Sequence, residues 1–178
     1  HVLYDEPMKK HTTFRVGGPA RALVEPGSAE DVKSVVEFCK SEQIPYYIVG
    51  NGSNLLVSDK GYDGVIIHLF KNMSAMRIEG NKVYVQAGAL LSKVAVQAGR
   101  KGLTGMEFAS GIPGTIGGAL VMNAGAYGGE MKDVVRLVQV MCEDGSFREY
   151  TGAEMEFGYR TSRVLHEKSV ALEAVLEL

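Results

Sequence analysis

Two glycine-rich stretches carry residue types and a spacing suited to chemistry: Gly50-Asn51-Gly52-Ser53-Asn54-Leu55-Leu56 and Gly111-Ile112-Pro113-Gly114-Thr115-Ile116-Gly117-Gly118. Glycine weakens strands and helices, so its clustering among apolar segments needs a positional reason. Small residues leave backbone N–H groups bare, and a concave set of bare N–H groups suits a phosphate or pyrophosphate. The first stretch follows the apolar run at residues 46–49, so a strand delivers the chain straight into it. A third cluster, Asn123-Ala124-Gly125-Ala126-Tyr127-Gly128-Gly129, lies close behind the second. Tight turns alone would account for a single loop of this kind. Several, with Asn and Ser interleaved, point to one large phosphorylated ligand held from two sides.

The familiar phosphate loops do not match. A Walker A loop ends in Gly-Lys-Ser/Thr, and residues 50–56 contain no lysine. A Rossmann fingerprint needs a third glycine where Leu55 stands, and a helix where residues 57–62 read as a turn.

The elements that must position these loops are legible as patterns. Ser28 with an acidic residue three places on marks a helix start, and Val32, Val35, Val36 and Cys39 form one apolar stripe of a helix to about Glu42. Cys39 is therefore expected in the core. Residues 46–49 read as a buried strand, and 65–69 as another in which His68 is packed or at an edge. Residues 77–85 read as a hairpin turned at Gly80-Asn81. A helix over about 90–101 stops at Gly102, and 134–150 read as a second hairpin turned at Asp144-Gly145. Thr151-Gly152-Ala153-Glu154 could cap a short helical turn, and 169–178 read as an imperfectly alternating strand. The composition changes character near residues 69–75. We expect two units, 1–70 and 71–178, facing each other with the ligand between them.

Composition narrows the function classes. The chain has 178 residues, 22% charged and 46% hydrophobic, with a formal net charge of -2. There is no basic block for nucleic acid or an anionic membrane, and no apolar run approaches the roughly 20 residues of a membrane helix. Residues 1–10 show no signal-peptide hydrophobic region. Cys39 and Cys142 fit no metal-ligand spacing, and the histidines form no paired motif, so no metal is expected. A reducing, cytoplasmic home fits best.

Five motifs in order then carry a resemblance: Thr12-Thr13-Phe14-Arg15-Val16-Gly17-Gly18-Pro19-Ala20, residues 50–56, residues 111–118, Met122-Asn123-Ala124-Gly125-Ala126-Tyr127-Gly128, and Phe157-Gly158-Tyr159-Arg160-Thr161-Ser162. Together they span nearly the whole chain, which resembles the FAD-binding part of the UDP-N-acetylenolpyruvoylglucosamine reductases, the bacterial MurB family of peptidoglycan synthesis. The resemblance implies an α+β fold of two subdomains, the vanillyl-alcohol-oxidase type of FAD-binding fold. It implies non-covalent FAD with its pyrophosphate on Gly50, Asn51, Gly52, Ser53, Asn54 and Leu55. The second side of the cofactor would be lined by Gly111, Pro113, Gly114, Thr115, Ile116, Gly117, Gly118 and Ala119, and extended by Asn123, Gly125 and Ala126.

In the family reaction NADPH reduces FAD, and hydride passes to the enolpyruvyl group of a UDP-sugar. The resemblance places Tyr159 at the substrate and makes Arg160 catalytic, its guanidinium stabilising charge that builds on the substrate carboxylate. The family continues into a substrate-binding domain that supplies a serine proton donor and a glutamate, and neither has a counterpart before Leu178. We therefore expect a cofactor domain with little or no turnover by itself, partnered by the missing C-terminal domain. Two alternatives stay open: a flavin-carrying module without chemistry, and an oxidase of the same flavin fold. A mere carrier has no need of the Tyr-Arg pair, and no histidine falls in either loop to tether the flavin.

Overall fold

The computed structural model describes residues 1–178, which divide into two units, His1–Met73 and Ser74–Leu178. The elements of the first are β1 (Val2–Pro7), β2 (Pro19–Val24), α1 (Ala29–Ser41), β3 (Tyr46–Val49) and β4 (Tyr62–His68). The sheet order is β1-β2-β4-β3, with β1 antiparallel to β2 and the other pairs parallel. At the start of α1, the Asp31 N–H donates to Ser28 Oγ at 3.1 Å, a cap worth about 1 kcal/mol. Val32, Val36 and Cys39 are buried on its inner stripe. Cys39 is a packed thiol, and burial pushes its pKa up. A smaller cluster of Met8, Ala20, Leu23, Val49 and Ile66 fills the core of this unit.

Strand β3 differs from the buried strand its apolar run suggested. It is an edge strand with a neighbour on one side only, so Val49 is buried while Tyr47 is exposed. Parallel strands need a crossover. α1 supplies it between β2 and β3, but residues 50–61 cross from β3 to β4 without a helix. Because β2, β3 and β4 are parallel, the first glycine loop leaves from their shared carboxyl edge. Ligands of open α/β sheets collect at that edge.

The second unit contains β5 (Met76–Glu79), β6 (Lys82–Gln86), α2 (Leu91–Arg100), α3 (Ile116–Val121), β7 (Gly125–Ala126), β8 (Gly129–Glu130), α4 (Met131–Val134), β9 (Val135–Met141), β10 (Phe147–Thr151), α5 (Arg163–His166) and β11 (Val170–Glu177). Its main sheet, in the order β10-β9-β11-β6-β5, is antiparallel throughout. Gly80, Gly102 and Gly145 take positive φ at the two hairpin turns and the end of α2. The uneven alternation of β11 has a structural cause. Its register against β9 shifts between Ala171 and Glu173, and Leu172 is fully buried at the shift. Thr151 and Glu154 bond reciprocally, Thr151 N–H to Glu154 Oε2 at 2.9 Å and Glu154 N–H to Thr151 Oγ1 at 3.3 Å, and cap a single turn closed by Met155 N–H donating to Thr151 O at 3.0 Å.

Helix α3 begins inside the second glycine stretch, where no periodic pattern predicts a helix. Gly117 and Gly118 are poor helix formers, yet a Cβ on Gly117 would lie 3.0 Å from Ala87 Cβ, so glycine lets α3 approach that backbone closely. Leu91, Phe108, Ile116, Leu120, Met131 and Leu176 are among the buried residues of the core. No helix is long and apolar enough to cross a membrane.

Candidate functional site

The first loop leaves a run of its amides without protein partners. The N–H groups of residues 50–54 donate to no protein acceptor, and neither does the Ser53 hydroxyl. Gly52 sets this arrangement: at φ +66 its carbonyl accepts from Thr13 N–H at 3.2 Å, which turns the carbonyl into the protein. A Cβ on Gly52 would fall 1.9 Å from His11 O, so only glycine fits. Ser53 and Leu55 are half-buried and Asn54 is exposed. Unmet amides that would cost about 1–3 kcal/mol each if buried are satisfied by an anion seated against them. The loop therefore fits a dinucleotide pyrophosphate.

Beneath the loop lies a titratable cluster. His11 Nε2 is 3.0 Å from Glu6 Oε1, and the His11 ring meets the His68 ring edge-on with centroids 5.2 Å apart. His68 is buried at the end of β4, and its Nδ1 is 3.7 Å from Glu25 Oε1, too far for a hydrogen bond. Glu25 accepts instead from Lys71 Nζ at 3.1 Å. Burial lowers the His68 pKa, and the nearby Glu25 carboxylate opposes that shift.

The second glycine stretch is partly consumed by packing. Ile116 and Gly117 donate their N–H groups to Ala89 O at 2.9 Å and Ala87 O at 2.8 Å, and the Ile116 and Ala119 side chains are buried. Leu91 N–H donates to Gly114 O at 3.0 Å. The N–H groups of Gly111, Gly114, Thr115 and Gly118 remain without protein acceptors. A Cβ on Gly111 would meet nothing within 4 Å, so open space and not crowding lies beside it. Pro113 is exposed, and Gly125 and Ala126 form β7. A two-residue turn, Tyr127-Gly128, joins β7 to β8 with both residues at positive φ, and Tyr127 is fully exposed.

Asn123 acts as a bracket. It is 3% exposed, its Nδ2 donates to Glu130 Oε2 and to Gly158 O (3.1 Å), and its Oδ1 accepts from Lys132 N–H at 3.0 Å. The Lys132 ammonium beside Glu130 holds that carboxyl below its ordinary pKa. With these bonds the Asn123 side chain is committed to the protein.

Tyr159 and Arg160 stand at the tip of a turn closed by Gly158 N–H to Thr161 O (3.1 Å) and Thr161 N–H to Gly158 O (3.4 Å). Asn123 holds one end of it through Gly158 O. Buried Ser162 holds the other, its Oγ donating to Val121 O at 2.9 Å. Tyr159 is 91% exposed, and the Arg160 guanidinium carbon lies 5.8 Å from its ring centroid. Arg160 makes no ion pair and takes φ +55, a conformation an L side chain disfavours by roughly 1–2 kcal/mol. The turn thus holds an exposed, unpaired guanidinium in a fixed position, with bonds on both flanks. Sequence reasoning gave Ser162 and Asn123 no such positioning role; their presence in ordered motifs was the only signal.

Parallel strand ends opening onto unpartnered amides, with hairpins and a second set of free amides in the following unit, define an α+β FAD-binding fold of the vanillyl-alcohol-oxidase type. The chain belongs to the FAD binding domain family, whose model matches residues 20–151. Over all 178 residues it is 52% identical to the UDP-N-acetylenolpyruvoylglucosamine reductase of Alkaliphilus metalliredigens, 59% of whose length it covers. The crystal structure of the corresponding reductase (MurB) from Thermus caldophilus superposes with a TM-score of 0.82 at 36% identity, over 99% of this chain and 61% of that one. A solvent-stable cholesterol oxidase shares the fold at a TM-score of 0.76 and 18% identity, over 99% of this chain and 37% of that one. The chain thus spans about three fifths of the length of the reductases it matches.

Proposed function

We propose that the chain is the FAD-holding part of a UDP-N-acetylenolpyruvoylglucosamine reductase, which reduces UDP-N-acetylglucosamine enolpyruvate to UDP-N-acetylmuramate with NADPH. The strained, unpaired Arg160 carries this reading, because a protein that only stored flavin would have no use for it. Bound FAD supplies hydride transfer from the nicotinamide to the enolpyruvyl double bond. The protein's own part is to seat the pyrophosphate on the amides of residues 50–54 and to approach the rest of the cofactor through Gly111, Gly114, Thr115 and Gly118. Ile116, Gly117 and Ala119 support that wall from the core, and Asn123 aims the Tyr159-Arg160 turn. Arg160 then grips the substrate carboxylate by two hydrogen bonds and stabilises the charge that develops there. Tyr159 packs against the same substrate. Cys39 and Cys142 are free thiols, which suits a reducing cytoplasmic setting.

The test separates the two half-reactions under anaerobic conditions, following the flavin's visible absorbance in the FAD-loaded full-length reductase. NADPH should bleach it and the enolpyruvyl substrate should restore it. Arg160→Ala should leave bleaching intact and slow restoration by about 10²–10³-fold. Equal restoration rates in the variant and the native protein would remove Arg160 from the chemistry.

A further inference from the structure

Arg15 is the other arginine held in the left-handed region, at φ +54. It is exposed, makes no ion pair, and sits in a locked turn: Arg15 N–H donates to Thr12 O at 3.2 Å and Thr12 Oγ1 to Val16 O at 3.1 Å. The residues flanking this turn are tied to the two ends of the first glycine loop. Thr13 N–H donates to Gly52 O, while Gly18 N–H donates to Ser58 O at 2.9 Å. Gly17 packs so closely on Val57 that a Cβ there would lie 2.8 Å from Val57 Cβ. Arg15 therefore lies in the short exposed segment whose two ends are tied to the two ends of the loop that carries the free amides. Those amides offer dipoles but no net charge, and residues 50–56 contain no cation.

We propose that Arg15 supplies the fixed positive charge for the FAD pyrophosphate. The inference rests on the FAD-binding reading above. A guanidinium suits the task because it is always charged and bonds two phosphate oxygens at once. Its backbone is held against the preference of its side chain, so charge and stability should separate on substitution.

Affinity for FAD is measured by flavin fluorescence at low and high salt, alongside the melting temperature of the cofactor-free chain. Arg15→Gly should melt no lower than the native chain, since glycine relieves the positive φ. It should still bind FAD about tenfold to a hundredfold more weakly at low salt. The salt dependence of binding should shrink with it. Arg15→Lys should recover part of the affinity, and Lys60→Ala should bind as the native chain does. Native-like affinity and salt dependence in Arg15→Gly would overturn the proposal, as would an equal loss in Lys60→Ala. A native chain that binds no FAD at either salt would overturn the underlying reading, and this inference with it.

Discussion

Asn123 and Ser162 secure the Tyr159-Arg160 turn from opposite ends, so Arg160 and its supports can be perturbed separately. Asn123→Ala takes the acceptor from the Lys132 N–H and leaves Gly158 O with only its longer bond from Thr161, and should destabilise the fold by about 1–3 kcal/mol in denaturant unfolding. Arg160→Gly acts in the opposite direction. Releasing φ +55 should raise the free energy of unfolding by roughly 1 kcal/mol while slowing the substrate half-reaction of the full-length reductase by about 10²–10³-fold. A variant both less stable and fully active would show that the turn is structural. Arg160 could be picked from the chain because it stands in an ordered motif. The bracket could not: its partners lie 7, 9 and 35 residues from Asn123, and no local pattern links them.

Among elements, the first loop depends on Gly52 more than on any side chain in it. In Gly52→Ala the new Cβ would meet His11 O at 1.9 Å in a disfavoured φ. The loop must shift, costing more than about 1 kcal/mol of stability and dispersing the row of amides. Flavin affinity should collapse in a fluorescence titration, whereas Ser28→Ala, at the far simpler cap of α1, should cost about 1 kcal/mol and leave affinity unchanged. Elements with strong periodicity, such as α1, α2 and the hairpins at Gly80 and Gly145, were readable because local preference and tertiary context agree there. The apolar run of β3 suggests burial because such a run does not reveal that a strand has only one neighbour. α3 was hidden because Gly117 and Gly118 serve close approach to Ala87 at the expense of helix propensity.

For the molecule as a whole, acid should act first through the cluster under the first loop. Glu25, His11, Lys71 and Phe70 face His68, and its burial keeps its pKa below the ordinary value. The unfolded chain takes up this proton near pH 6.5 and the folded chain only at lower pH. The unfolded state therefore binds more protons in that window, and stability falls as pH drops from about 7. Glu6, whose pKa His11 lowers, keeps its contribution until pH falls into the ordinary carboxylate range and loses it from there downward, so the two effects separate. His68→Gln should flatten the loss of stability between about pH 7 and 5; an unchanged slope would remove His68 as its source. Non-covalent binding of FAD to this chain's free amides can be read from the visible absorption spectrum of the desalted protein, with FAD added and then after denaturation. A bound flavin spectrum whose chromophore is released on unfolding is expected. A protein that stays colourless and takes up no added FAD would contradict it.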